Sequence, residues 1–511
     1  MKKIGIFIII ILVGLSFWWF SKEETTGNKA NTLVYGSHDY TSINPALYEH
    51  GEINSLIFSG LFRHDKDNQL VEDLVDTWEY KKEEQKYYFH LKENVKWQDG
   101  EEFTAEDVKF TLEAILDPNN LSEIASNYEE IKEVEVPDKY TVILTLSKPN
   151  VALPDYLTVG MLPKHLLDGK DMKIDSFNQN PVGTGAYRMK KWELGQYIQL
   201  EKNPFYYGKQ PQIEEVIFKI VPEEKMRSLQ LKSKELDLAQ VSPKDANALE
   251  QEKHLQVYDM KTADYRGIMY NFFNPFWNDK KEVIQAISYC IDAQSIVDTV
   301  LLKKGEVAYS PLQGTSYYKK IEGNGYSKDK AKQLLEQNGW KLENGIYKKN
   351  GVPLSFTITC MEGDPVRVDI AKICASQINE IGADIKVEVK ADIDWEGQEA
   401  FLIGWGSPFD PDDHTYKVFG TDKGANYSGY SNKKIDRILE QARSTEDKQE
   451  RKRLYDQFQE EFRNDPPYTL IAYVDALYVA NNRLKGIPET MILGHHGVGI
   501  FNTICDWEME E

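Results

Sequence analysis

Three histidines carry the most chemistry in this chain: His414, His495 and His496. An imidazole is a common ligand for a transition metal. His414 follows a dense run, Gly404-Trp405-Gly406-Ser407-Pro408-Phe409-Asp410-Pro411-Asp412-Asp413, in which aromatic rings sit among carboxylates. Asp410 can hold an amine by a charge-assisted hydrogen bond, or it can cap a turn. His495-His496-Gly497 reads as a turn; were the pair in a strand, its rings would face opposite ways and at most one would reach a cleft. Tyr40, Tyr270, Phe272, Trp405, Phe409 and Tyr416 fall at strand ends or between predicted lobes, where rings can wall a cleft. Two ligand chemistries fit this set. A peptide needs backbone partners, a carboxylate for its amine and a cation for its carboxylate. A histidine-bound metal needs an imidazole, aromatic walls and a cation that reads carboxylate.

Catalysis does not fit. The sequence has no Ser–His–Asp order, P-loop or HExxH motif, and no carboxylates pair for acid–base work. No cofactor is expected. Arg188, after a glycine turn, reads as a surface strand residue, and Asp99, before Gly100, as a turn former.

These residues must be positioned by a sizeable scaffold. The 511 residues, 41% hydrophobic and 28% charged, are enough for two or three domains. A net charge of −21 repels nucleic acid and anionic lipid, and no basic cluster could track a phosphate backbone. Cys290, Cys360, Cys374 and Cys505 are widely scattered, with no metal-site spacing. They allow one or two disulfides or buried free thiols, and spacing does not choose.

The N-terminus sorts the chain to its compartment. Lys2 and Lys3 precede an apolar run from Ile4 to Phe20, with Trp18 and Trp19 where interface anchors sit. There is no Ala-x-Ala cleavage site and no nearby cysteine for a lipid. The expectation is an uncleaved anchor, with cleavage at an atypical site as the alternative. Either way the remainder lies outside the membrane.

From Thr32 onward, strands and helices mix in an α/β pattern. The spacing predicts strands at 87–91, in TVILTLSKPN, IEEVIFKIV and LSFTITC, and in FLIGWG before the aspartate-rich loop. EINSLIFSGLFRHD has helical spacing ending near Arg63-His64-Asp65. Thr104, with Asp107 three residues on, predicts a capped helix start. Helices are expected at 326–339, in VRVDIAKICASQIN, and twice in KKIDRILEQARSTEDKQERKRLYDQFQEEFRND. The expected division is an N-terminal anchor and linker (1–31), a first lobe with an inserted subdomain (32–269), a second lobe (270–475) and a C-terminal return to the first (476–511).

The stretches SINPALYEHGEINSLIFSGLFRHD, LVEDLVDTWEY, YFHLKENVKWQDGEEFTAEDVKFTLE, NPVGTGAYRMKKW, NPFYYG, NYSGYSNKKID and PPYTLIAYVDALYV carry a resemblance that spans the chain from about Thr32 to its end. The most specific is Val95–Phe110, which combines Trp97, Asp99, Gly100, Phe103, Thr104, Asp107 and Val108. The chain resembles the large solute-binding proteins of peptide and nickel ABC importers. The resemblance implies a two-lobed periplasmic-binding-protein-like fold with an extra subdomain, a ligand buried between the lobes, and docking of the closed form on membrane permease subunits. It implies no catalysis.

The resemblance also reads the ligand loop. Ser407 stands where peptide-binding relatives often have the aspartate that holds the peptide amine, while Asp410-Pro411 is retained. The loop is also similar to the WGAPYDPH-like loop of nickel-binding members. Trp405 would line the pocket against a metal–chelator complex, Phe409 replaces a usual tyrosine, and Asp412 stands where a histidine follows Asp-Pro. No counterpart of an arginine clamping the chelator is legible. The sequence reading is therefore a monomeric importer receptor for short peptides, with a nickel or metallophore receptor as the alternative. An extracytoplasmic sensor without transport is the reading from another class.

Overall fold

The computed structural model describes residues 31–510, apart from 49, 50, 278, 322 and 324. The apolar run Ile4–Phe20 lies outside the described residues. Among those described, no helix is long and apolar enough to cross a membrane.

Two sheets organise the chain. The first combines β1 (Thr32–Ser37) with later strands: β6 (Tyr187–Glu193), β7 (Tyr197–Lys202), β8 (Glu215–Ile220), β9 (Leu238–Val241) and β10 (Leu255–Met260). Between β1 and β6 the chain builds a separate four-stranded sheet from β2 (Val75–Lys81), β3 (Lys86–Leu91), β4 (Ile131–Asp138) and β5 (Thr141–Leu146), in the order β2-β3-β5-β4. The helix α1 (Ala105–Leu116) packs against β4 and β5. Its start is a capping box: the Thr104 side chain meets the third helical amide, and the Asp107 carboxylate accepts from Thr104 N–H at 2.8 Å. Such a cap contributes about 1 kcal/mol. Trp97, Phe103 and Val108, from the most specific stretch, are fully buried in the first-lobe core.

The second sheet contains β11 (Tyr265–Tyr270), β12 (Gly305–Val307), β13 (Ser355–Met361), β14 (Asp384–Lys390), β15 (Ala400–Trp405) and β16 (Tyr468–Val474), in the order β12-β16-β11-β15-β13-β14. The helix α2 (Pro365–Asn379) carries the chain from β13 to its parallel neighbour β14. The chain then returns: β17 (Ala476–Asn481) enters the first sheet between β9 and β10.

Three sequence expectations are corrected. β11 belongs to the second sheet, pairing Tyr265 with Trp405, so the chain changes lobe a few residues before the expected boundary at 270. The stretch before Arg63 is not one helix: only Asn54–Ile57 is helical, and Phe62–His64 is a strand paired with Leu70–Glu72. The helix stops at Phe58, whose backbone is extended (φ −115°, ψ 158°), and Gly60 beyond it packs where a Cβ would lie 2.6 Å from the Thr158 backbone. The aspartate-rich loop is shorter than expected, because α3 (Asp412–Phe419) begins inside it. Asp412 and Asp413 favour that start by facing the positive end of the helix dipole.

All four cysteines are free thiols. Asp99 forms the turn before Gly100 (φ 96°), accepting from Glu101 N–H at 3.2 Å, and Arg188 pairs with Glu201.

Candidate functional site

A cavity of about 400 Å³ lies between the lobes. The first lobe contributes Arg63, His64, Tyr128, Asp155, Tyr156 and Tyr206 to its wall. The second contributes Trp405–Phe409, Asp413, His414 and Lys417, and the C-terminal return adds His495, Val498 and Phe501.

The loop after β15 is shaped by Gly406. Its φ is 146°, and a Cβ there would lie 1.7 Å from the Ala263 carbonyl oxygen, so only glycine lets the chain turn this close to β11. Of the residues singled out from sequence, Trp405, Ser407, Phe409, His414 and His495 line the cavity. Asp410, Tyr40 and Tyr270 do not.

Tyr270 is fully buried in the second-lobe core, its hydroxyl 2.6 Å from Thr469 Oγ1. Tyr40 packs edge-on against Phe218 in the first lobe. Asp410 is held by Arg451, whose Nη2 donates to Oδ1 at 2.7 Å and whose Nη1 donates to Oδ2. The same carboxylate also accepts from Asp412 N–H at 2.9 Å. It therefore fixes the loop from behind instead of offering a charge to the cavity.

Phe409 stacks on His64 of the other lobe, with ring centroids 3.6 Å apart and planes 9° from parallel. His64 Nε2 lies 3.0 Å from Asp155. Ser407 hydrogen-bonds the Asp413 carboxylate. Asp413 also pairs with Lys417 at 3.2 Å. His414 is buried, with Nε2 2.8 Å from the Pro311 carbonyl oxygen. Burial pushes it down to about 4, so its ring is neutral at physiological pH.

His495 and His496 sit in a 3-10 turn, His495–Gly497, closed by Gly497 N–H on the Gly494 carbonyl at 3.0 Å. His496 takes a left-handed φ of 57°. The turn curls the two rings together, with centroids 3.8 Å apart, so opposite-face strand geometry does not apply. Asp264, buried at the start of β11, joins them: donor atoms of Asp264, His495 and His496 all lie within 4.8 Å of one another.

The carboxylate has a definite part in this group. His495 Nδ1 is 3.0 Å from Asp264 Oδ1, and His496 N–H donates to Oδ2 at 3.1 Å. Burial alone would raise the Asp264 pKa, but Arg266 and His495 outweigh it and hold the carboxyl well below its usual range. The ionised Asp264 accepts a hydrogen bond from His495 Nδ1–H, which fixes the orientation of the ring. This is how an outer carboxylate commonly orients a metal-binding imidazole. Part of the His496 ring meets solvent, yet desolvation by the surrounding chain and the neighbouring His495 push it down to about 3. Both effects favour the neutral, ligating form. Trp405 stands 5.7 Å from His495, ring centroid to centroid.

Sequence reasoning missed the cations. Arg266 is buried and ion-paired to Asp264, and Arg367 donates from Nε to Asp364 at 3.2 Å. Both guanidinium groups act electrostatically on His496. Gly404 leaves room for them: a Cβ there would meet Arg266 at 2.4 Å and Arg367 at 2.9 Å. Arg63 lines the cavity from the opposite lobe. The signal for Arg266 was the sequence DYR, an acid and a base two apart on one face of a strand. Nothing local ties Arg367, about a hundred residues on, to the same place.

Comparison with known proteins places this geometry. The profile of bacterial extracellular solute-binding proteins, family 5 (middle), matches residues 69–427. The oligopeptide-binding protein AppA of Bacillus subtilis (strain 168) is 31% identical over 525 residues, covering 95% of this chain and 94% of AppA. Among solved structures, NikZ from Campylobacter jejuni in complex with Ni(L-His) superposes with a TM-score of 0.87 at 38% identity, over 94% of this chain and 99% of NikZ. AppA from B. subtilis in complex with a nonapeptide gives 0.83 at 29% identity, over 94% and 99%. The chain therefore belongs to the family 5 bacterial extracellular solute-binding proteins, non-catalytic receptors that supply ABC importers with substrate across a two-lobed α/β fold.

Proposed function

We propose that this receptor captures a transition-metal complex of a small amino-acid chelator, with nickel–histidine as the first candidate, and delivers it to the permease subunits of an ABC importer. The reading rests on one observation: two imidazoles, one oriented by a buried carboxylate, meet beside Trp405, with His495 on the cavity wall. His495 and His496 supply the nitrogen ligands that nickel prefers. Arg63, on the cavity wall, supplies the cation for a chelator carboxylate, and Trp405 the aromatic wall. The likeness to NikZ, whose structure holds Ni(L-His), supports the same ligand class.

The order of ligands expected from sequence is thereby reversed. Short peptides stand second, supported by the 31% likeness to an oligopeptide-binding protein.

Titration calorimetry on residues 31–511 tests the proposal, with nickel alone, L-histidine alone, the two together, and di- to tetrapeptides. Saturable one-site binding that needs nickel and histidine together supports it, and so does its loss in His495→Ala and His496→Ala. Peptide binding with indifference to nickel would replace it. We also infer that Ile4–Phe20 tethers the receptor to the outer face of the membrane and that it works as a monomer. Release of the protein to the soluble fraction on removing residues 1–31 checks the tether.

A further inference from the structure

The two lobes meet a second time, beside the cavity. Arg443, at the end of α4 (Lys433–Arg443) in the second lobe, is buried at the contact. Its Nη1 donates to Glu130 Oε1 of the first lobe at 3.0 Å, and its Nε forms an ion pair with Asp412 of its own lobe at 3.3 Å. The Tyr156 hydroxyl, from the first lobe, donates to the same Asp412 oxygen at 2.9 Å. Arg443 also lies 3.9 Å above the Tyr416 ring. Its backbone carbonyl accepts from Val151 N–H across the interface at 2.9 Å. Outside this knot, Lys423 reaches Glu129 at 2.9 Å.

We propose that Arg443, Glu130, Asp412 and Tyr156 form an interlobe latch that sets how long the receptor holds its ligand, through groups mostly outside the cavity wall. This rests on the reading that ligand is held between the lobes. Arg443 and Glu130 do not line the cavity. Asp412 connects them to it, because it starts α3 two residues after Asp410 on the loop that presents Trp405 and Phe409. A ligand that settles this loop also settles Asp412 for Tyr156 and Arg443.

The geometry also explains why the latch holds only when closed. Glu130 Oε2 and Asp412 Oδ1 are buried with no hydrogen-bond partner. Each charge is therefore compensated through its remaining contacts, and opening the lobes separates Glu130 and Tyr156 from theirs. Removing one partner leaves the other buried and uncompensated, which disfavours the closed state specifically.

The test uses Glu130→Gln and Arg443→Met, with Arg443→Lys as the conservative variant. Stopped-flow binding of nickel plus histidine should show an unchanged association rate and about tenfold faster dissociation in the first two. Arg443→Lys should recover part of the loss. Adding Glu130→Gln to Arg443→Met should add almost nothing, because both remove the same bond. Hydrogen exchange at Val151 should speed up in the same variants by more than exchange at the core amides of either lobe. Unchanged dissociation and unchanged Val151 exchange in Glu130→Gln would overturn the latch, as would additive effects in the double variant. If the wild-type protein ignores nickel and histidine while Val151 exchange still rises in the variants, the metal reading falls and the latch stands.

Discussion

Replacing Asp410 by asparagine should weaken the fold and leave ligand recognition largely intact. The carboxylate accepts two bonds from Arg451, which is itself about 5% exposed. Asparagine keeps the shape and one acceptor but removes the charge opposite a buried guanidinium. Breaking such a pair costs about 3–5 kcal/mol when the other charge stays buried. Arg451 keeps the Ala442 carbonyl at 3.0 Å and the Tyr317 hydroxyl at 3.2 Å, which places the loss near the lower end, about 3 kcal/mol. For a second lobe of about 200 residues unfolding as a unit, an entropy of ~2.1 cal/mol/K per residue gives a fall in melting temperature of about 7 °C. Differential scanning calorimetry reads this directly, with ligand affinity measured below the transition. A melting temperature within about 1 °C of wild type, joined to a more than tenfold loss of affinity for peptides with a free amino terminus, would refute the reasoning and return Asp410 to the role of an amine anchor.

Three other outcomes follow from the same geometry. His414 has its folded pKa pushed down to about 4, below its unfolded value. Its stabilising contribution is therefore complete above about pH 6.5 and is lost as pH falls toward 4, amounting to about 2 kcal/mol by pH 5; His414→Gln should flatten that part of a urea stability profile. Gly404→Ala would drive a methyl group against Arg266 and Arg367. It should cost about 1–3 kcal/mol of stability, read as a lower midpoint in urea unfolding. Burial pushes Cys290 to about 12 and Cys360 to about 11. Thiol reagents at neutral pH should leave both unmodified until denaturant is added, and reductant should not change the melting temperature.

The fold was largely legible because its signals are local. Thr104 and Asp107 announce a helix start three residues apart, and β13, α2 and β14 read as a strand–helix–strand step. The error at Gly60 shows the limit. Helical spacing on either side of it looked continuous, and the close approach of the Thr158 backbone, about a hundred residues away, is absent from the local pattern. The site was legible in its ligands and not in their supports. His495 and the Trp405 loop were singled out by residue type. The carboxylate that orients His495 is more than two hundred residues earlier, and the arginine that occupies Asp410 lies beyond α3 and α4. Such pairings are made by strand order, which a linear reading does not contain.

The placement of β17 has a consequence for how the molecule is born. Among the described residues β10 pairs only with β17 in the first sheet, and Leu477 and Val479 of β17 join the small core that includes Leu231, Leu236, Leu249 and Leu255. A ribosome or export channel delivers the chain N-terminus first. The second lobe, from β11 to β16, is then complete before the first. Until residue 481 emerges, β10 is a strand without a partner and its lobe a half-built sheet, the kind of edge that invites aggregation. The last thirty-odd residues therefore act as the closing stitch of the earliest-made lobe, and truncating them would unravel the end of the protein that was synthesised first.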